Sequence, residues 1–206
     1  MTLEEAIAKI KPLDHNAMEI AQKRWDSIAK PLHSLGKLET LLIQIAGITG
    51  NAEVDLSRRG LIVMCADNGV VEEGVTQTGQ EVTAIVAENF LKYDTSVGVM
   101  CKQNHAEIFP VDMGMVTDTK VRTDHKIAYG TQNMTKGPAM TREQAVKGLE
   151  AGIDMVRELN DKGYRILATG EMGIGNTTTS SAVASVLLKQ PVEEMTGRGA
   201  GLTSEG

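Results

Sequence analysis

The sequence predicts an α/β fold, a doubly wound and mostly parallel sheet preceded by helical segments. Three observations predict it. Short, nearly continuous apolar runs alternate with longer stretches of helical periodicity. Polar or glycine-rich turns follow those runs at their C-terminal ends, where open α/β sheets collect ligands. Aromatic residues make up only 3% of the chain whereas methionine numbers 11, so the core must be filled by Val, Ile, Leu, Ala and Met, as suits helices packed on a parallel sheet.

The elements follow in order. Residues 14–30 read as an amphipathic helix with Met18, Ala21, Trp25 and Ile28 on one face, stopped by Pro31. After the short loop Leu32–Gly36, a second helix runs from Lys37 to Ala46 with Leu38, Leu41, Leu42 and Ile45 as its expected buried face, and Thr49-Gly50-Asn51 breaks it. Leu61–Ala66 is a strand apolar on both faces, followed by the turn Asp67-Asn68-Gly69 and a polar loop reaching Gln80. Glu81–Lys92 regains helical spacing through Val82, Ile85, Val86 and Phe90. Ala106–Asp112 is a second strand, in which Pro110 points to a sheet edge or a bulge. His125–Tyr129 reads as a weaker third strand. Thr141 and Gln144 spell a capping box, with Val146, Leu149, Ile153 and Val156 as the expected core stripe of the helix it opens and Gly163 after its end. A strand at Tyr164–Thr169, a glycine turn and a helix over 177–188 complete the pattern, and Leu202–Gly206 resembles the start of a further helix.

Bulk properties narrow the function classes. A length of 206 residues supports one generous domain with an appendage. The net charge is −6, concentrated in residues 61–130, which carry 5 Lys/Arg against 10 Asp/Glu, whereas residues 1–60 balance at 8 and 8. Without a basic stripe or an aromatic platform, nucleic acid is not expected as a partner. Cys65 and Cys101 are far apart and form no CxxC pair, and the four histidines lack the i,i+3 or i,i+4 spacing of a metal-binding helix, so no metal is expected. No apolar run approaches the ~20 residues that span a bilayer, and Met1-Thr-Leu-Glu-Glu-Ala lacks the order of a signal peptide, so no membrane is expected and the cytoplasm is the expected location.

Four groups could carry chemistry. Asp67-Asn68-Gly69 ends the first strand, although those residue types also make ordinary turns. The loop Glu72–Gln80 offers hydroxyls and amides for a polar wall, or is simply solvated. The run Gly170-Glu-Met-Gly-Ile-Gly-Asn-Thr-Thr-Thr-Ser180 turns from strand to helix through glycines, which points backbone N–H groups outward where the helix dipole favours an anion. It matches neither GxGxxG nor the P-loop, which argues against a dinucleotide oxidoreductase. Glu171 is a carboxylate beside that anion site, an uncomfortable placement that suggests chemistry over packing. Gly197-Arg198-Gly199-Ala-Gly201 brings one fixed cation that could approach a phosphate closely.

Several of these stretches together resemble one family, the nicotinate-nucleotide:dimethylbenzimidazole phosphoribosyltransferases, which make the lower-ligand nucleotide of cobalamin. The matching stretches are Lys30–Glu39, Met64-Cys-Ala-Asp-Asn-Gly-Val70 with Glu73-Gly-Val75, Gly137-Pro-Ala-Met140, Gly170–Thr178 and Thr196–Gly201. Leu32-His33 stands where the family often has Pro-Gly, and Asn68 where it often has His, which removes an imidazole from that turn. The resemblance implies a Rossmann-like large domain over 31–206 and, over 1–30, the N-terminal part of a small helical domain. It implies transfer of phosphoribose from nicotinate mononucleotide to 5,6-dimethylbenzimidazole or a similar azole, no cofactor, and a homodimer.

By the same resemblance, Glu171 is the acidic residue facing the ribose, and Gly173, Gly175, Asn176, Thr177 and Thr178 bind phosphate and ribose. Thr78, Met172 and Val86, the last where some relatives carry Gln, are the expected walls of the azole pocket. Family members run to about 350 residues by the same resemblance, and their general base lies beyond the stretch matched here. The chain is therefore expected to be truncated and inactive by itself; the alternative is a non-catalytic fragment or subunit that binds nucleotide phosphate.

Overall fold

The computed structural model describes residues 1–200. The glycine at 201 and the helix start expected after it lie outside the described residues. Contacts divide the chain into two compact units, Thr2–Arg58 and the stretch from Arg59 onward together with Met1. Residues 31–58 therefore cluster with the N-terminal helices and not with the sheet.

The first unit is helical. Helix α1 spans Leu3–Ala8 behind a Thr2/Glu5 capping box. Helix α2 covers His15–Ser27, with Asp14 Oδ1 accepting from the Ala17 N–H at 2.9 Å. It ends three residues before Lys30, where the chain turns extended at Ile28, and Ile28 itself is exposed. Helix α3 runs Lys37–Thr49 and closes on Gly50 in the left-handed conformation.

The face α3 buries is not the expected one. Leu38 and Leu41 are exposed, whereas Glu39, Ala46 and Gly47 are buried. The reason is an ion pair and a close approach. Glu39 Oε1 sits 2.9 Å from Lys30 Nζ and accepts from the Leu35 N–H at 3.1 Å, so the chain before α3 folds back over that carboxylate. A Cβ on Gly47 would stand 2.7 Å from Met18 Sδ, so α2 and α3 meet backbone to side chain at that point.

The second unit carries a three-stranded parallel sheet in the order β2-β1-β3, with β1 Arg59–Ala66, β2 Ala106–Gly114 and β3 Ile166–Met172. Side chains alternate along β1. Leu61, Val63 and Cys65 join Ala84, Ala87 and Phe90 of α4 (Glu81–Lys92) and Cys101 of α5 (Ser96–Gln103) in one core. Ile62 faces the other way, into a core with Val111, Tyr164, and Met155 and Leu159 of α6 (Arg142–Asp161). Helices thus cover both faces, as the doubly wound pattern requires. Pro110 lies in β2 at the edge of the sheet, opposite Val63, and a register shift follows between Cys65 and Ala66.

Two expectations are corrected. His125–Tyr129 forms no strand. It runs beside β2 as an irregular segment, with the Ile127 N–H donating to the Met113 carbonyl at 2.9 Å and the Gly130 N–H to the Gly114 carbonyl at 2.9 Å. Bonds this sparse satisfy the strand edge without building a ladder. On α6 the capping box forms, but the stripe is different: Ala151, Met155 and Leu159 are buried, while Leu149 and Val156 are exposed. The buried positions 151, 155 and 159 recur every four residues and pack with Ile62 and Val111 of the sheet through Met155 and Leu159.

After β3, α7 covers Asn176–Leu188 and the single turn α8 covers Val192–Met195. Helix α7 opens with six polar residues and turns apolar in its C-terminal half, where Val183, Val186, Leu187 and Leu188 are exposed. No helix among the described residues is long and apolar enough to cross a membrane.

Candidate functional site

In the order β2-β1-β3 the first crossover leaves β1 on one side and β3 arrives on the other, so the crevice of an open α/β sheet falls between the C-terminal ends of β1 and β3. The turn after β1 and the turn after β3 meet there. Asn68 ties them together: its Nδ2 donates to the Ile174 carbonyl at 3.0 Å and its Oδ1 accepts from the Thr179 hydroxyl at 3.2 Å. Gln80, just before α4, donates to the Asn68 carbonyl at 3.0 Å. Thr83, fully buried in α4, accepts from the Ile174 N–H at 3.1 Å. All but the Gln80 bond join residues some 90–110 positions apart, and the sequence carries no local signal for them beyond a polar residue at the strand end.

The neighbours of Asn68 are held by the segments around them. Asp67 is fully buried, and its Oδ2 accepts from the Val116 N–H at 2.8 Å while its backbone bonds to Gly114 and Thr131. Gly69 has no room for a side chain, because a Cβ would stand 2.5 Å from the Thr131 carbonyl oxygen. The loop after it is anchored by Asn133, whose Nδ2 donates to Glu72 at 2.7 Å and Glu73 at 2.6 Å; Lys136 also pairs with Glu72.

Glu171 lies inside β3, opposite Met64, and the strand runs one residue past it. The residue is exposed, and its carboxylate lies against the turn: Oε1 is 2.7 Å from the place a Cβ on Gly173 would occupy, and Oε2 accepts from the Asn176 side chain. Partial burial of the carboxyl pushes its pKa above the ordinary carboxylate value, and the Asn176 bond offsets part of that rise.

Folding therefore disfavours the charged form of Glu171, so stability is highest below the unfolded pKa of 4.5 and falls as pH rises through the raised folded pKa. Glu171→Gln is expected to raise the melting temperature at pH 7, with the difference from the native chain vanishing below pH 4.5 in a thermal-denaturation series. An unchanged difference across that range would show that the carboxyl is solvated.

Gly173 is buried where a Cβ would come within 2.3 Å of the Ala66 carbonyl oxygen. Gly175 caps α7 at φ 87°, a left-handed backbone that favours glycine, and offers no side-chain cap. Asn176 is the first residue of the helix, with its N–H bonded to the Gly173 carbonyl at 3.0 Å. Thr177 is exposed and Thr178 half-buried in the first turn. Over that turn passes the loop Gly197–Gly199, since a Cβ on Gly199 would lie 2.9 Å from Thr177 Oγ1. Two separate glycine-rich sequences therefore converge on one helix start, with Arg198 exposed between the glycines.

The expected azole walls divide. Met172 and Val86 are half-buried against the same core beneath α4, opposite in sheet face to Glu171. Thr78 is exposed in the loop before α4, its carbonyl accepting from the Thr76 hydroxyl at 2.8 Å. Cys65 lies in that same core, and burial pushes its thiol up to about 12, so it is no nucleophile.

Comparisons with known proteins agree in direction. Residues 10–206 match a family described as Phosphoribosyltransferase. The nicotinate-nucleotide--dimethylbenzimidazole phosphoribosyltransferase of Ruminiclostridium cellulolyticum is 51% identical over 208 residues, covering 100% of this chain and 59% of that protein. The protein of the same name from Clostridium tetani is 47% identical over 206 residues, covering 99% of this chain and 57% of its own length. Among solved structures, CobT from Thermus thermophilus superposes with a TM-score of 0.84 at 36% identity, over 92% of this chain and 58% of that one. The chain thus spans under three-fifths of the length of these relatives.

Proposed function

The chain belongs to the phosphoribosyltransferase family matched over residues 10–206, and from that premise we propose that its glycine turn binds the phosphoribosyl half of nicotinate mononucleotide. The observation that supports this most directly is the construction after β3. Two residues after a carboxylate held by Asn176 comes Gly173, where a Cβ would fall 2.3 Å from a carbonyl oxygen, and then an α7 start that no side chain caps. Backbone N–H groups and the hydroxyls of Thr177 and Thr178 would take the 5′-phosphate there, assisted by the helix dipole and by Arg198.

The reaction proposed, by analogy with the relatives' names, is substitution at the ribose C1′. A ring nitrogen of 5,6-dimethylbenzimidazole, or a similar azole, forms the new C–N bond. The bond to the nicotinate ring nitrogen breaks, and its electron pair leaves with nicotinate, neutralising the pyridinium charge. Positive charge builds on the ribosyl centre between the two events, and Glu171 would stabilise it electrostatically. A general base must take the azole N–H proton; none of the described residues is assigned that role. Thr78, Met172 and Val86 remain the proposed neighbours of the azole, and a homodimer the proposed assembly.

Calorimetry tests the binding half on the 206-residue chain. Nicotinate mononucleotide is expected to bind and to be displaced by inorganic phosphate, whereas nicotinate riboside, lacking the phosphate, is expected to bind far more weakly. Equal affinity for the two would overturn the phosphate assignment. In a chain extended to the relatives' length, Glu171→Gln is expected to lower kcat by more than about tenfold, ~1.4 kcal/mol of transition-state stabilisation. A native rate would remove Glu171 from the chemistry. A second reading is binding without turnover. Release of nicotinate by the chain alone, in the presence of dimethylbenzimidazole, would exclude it.

A further inference from the structure

The turn after β3 commits its backbone donors selectively. The Ile174 N–H donates to Thr83 Oγ1 at 3.1 Å, and the Asn176 N–H to the Gly173 carbonyl at 3.0 Å. The Thr178 and Thr179 N–H groups donate to the Gly175 carbonyl at 3.1 and 3.3 Å. The N–H groups of Gly175 and Thr177 take no partner among the described residues. Thr177 is exposed in the first turn of α7, where an orphan donor facing water is ordinary. Gly175 differs, because it is buried. A buried N–H without an acceptor is rare enough to need a reason. At a helix start, an anionic oxygen is the acceptor such a donor suits.

Asn68 decides where that N–H points. A trans peptide is planar, and its carbonyl and N–H are directed to opposite sides. The Ile174 carbonyl and the Gly175 N–H belong to one such peptide, and no peptide in the described residues is cis. Asn68 Nδ2 donates to that carbonyl at 3.0 Å, so the N–H is turned away from Asn68. Without this bond the peptide is free to rotate. Gly175 stands at φ 87°, and glycine tolerates positive and negative φ about equally.

The surrounding bonds hold Asn68 rather than this peptide. Gln80 donates to the Asn68 carbonyl at 3.0 Å, and the Thr179 hydroxyl to Asn68 Oδ1 at 3.2 Å. Thr83 holds the preceding peptide through the Ile174 N–H. Among the described residues, Asn68 alone bonds to the Ile174 carbonyl.

We propose that Asn68 is a positioning residue for the phosphate turn: by holding the Ile174 carbonyl, it aims the Gly175 N–H at an oxygen of the 5′-phosphate. This role rests on phosphate binding at the turn, yet the two fail separately. Inorganic phosphate is the probe, titrated into the 206-residue chain labelled with ¹⁵N. In the native chain the Gly175 and Thr177 amide signals are expected to shift and saturate together. The Gly175 amide is expected to exchange with solvent more slowly once phosphate is bound, whereas the Ile174 amide, committed to Thr83, is protected with or without it. Asn68→Ala is expected to lose the Gly175 response and keep that of Thr177, and to weaken nicotinate mononucleotide about tenfold in calorimetry, the loss of one bond to a charged group. Stillness of both amides in the native chain would overturn phosphate binding and the role of Asn68 with it. A native Gly175 response in folded Asn68→Ala, or loss of both responses together, would overturn the role of Asn68 alone. Should that variant unfold, the native chain decides: Gly175 exchange unchanged by bound phosphate would overturn the role, and slowing confined to Gly175 and Thr177 would support it.

Discussion

Gly173→Val is expected to weaken nicotinate mononucleotide binding about ten- to a hundredfold in calorimetry, the loss of one charge-assisted hydrogen bond at roughly 1.5–3 kcal/mol. The cause is steric. A Cβ at this position would stand 2.3 Å from the Ala66 carbonyl oxygen and 2.8 Å from Asn68 Nδ2, so the turn must move away from β1. That movement breaks the Asn68–Ile174 bond at 3.0 Å and swings the N–H groups off the anion. Gly137→Ala is the control, because a Cβ there meets nothing within 4 Å. Native affinity for Gly173→Val, with the fold intact by circular dichroism, would sink the phosphate cradle.

Leu159→Ala is expected to cost about 2–5 kcal/mol in urea denaturation, the range for truncating a fully buried leucine. Leu159 is 0% exposed and packs with Ile62, Val111, Met155 and Tyr164. Leu149→Ala, on the same helix, is expected to change stability by no more than about 0.5 kcal/mol, because Leu149 is 56% exposed. The pair separates two descriptions of α6. By periodicity Leu149 belongs to the core stripe; in the folded chain Leu159 does. Similar losses for both variants would restore the stripe read from the sequence.

The same contrast shows how much was legible. The strand at 61–66, the helix at 81–92, the Thr141 capping box and the glycine turn before α7 are all local signals, set by residues within a few positions of one another. A capping hydroxyl bonds three residues away and a glycine answers for its own φ, so such features survive without knowledge of the partner. The faces of α3 and α6 were misread because apolar residues stand on more than one side of each helix. Which side is buried then depends on the shape offered by the neighbour, where a small residue such as Gly47 admits close approach. The segment 125–129 has strand-like composition but finds only scattered backbone bonds beside β2.

The sequence by itself determined the α/β class, the places of the three strands that form the sheet, the family and the place of the glycine turn. Each is written in near-neighbour patterns or in motif identity. Only the tertiary structure decided that Asn68 cross-links the two turns, that the loop at 197–199 arches over α7, and that Met64 and Met140 line a common cavity. Those pairings join residues far apart in the chain. Their geometry follows from how parallel strands register and how helices settle on the sheet, which no local run of residues encodes.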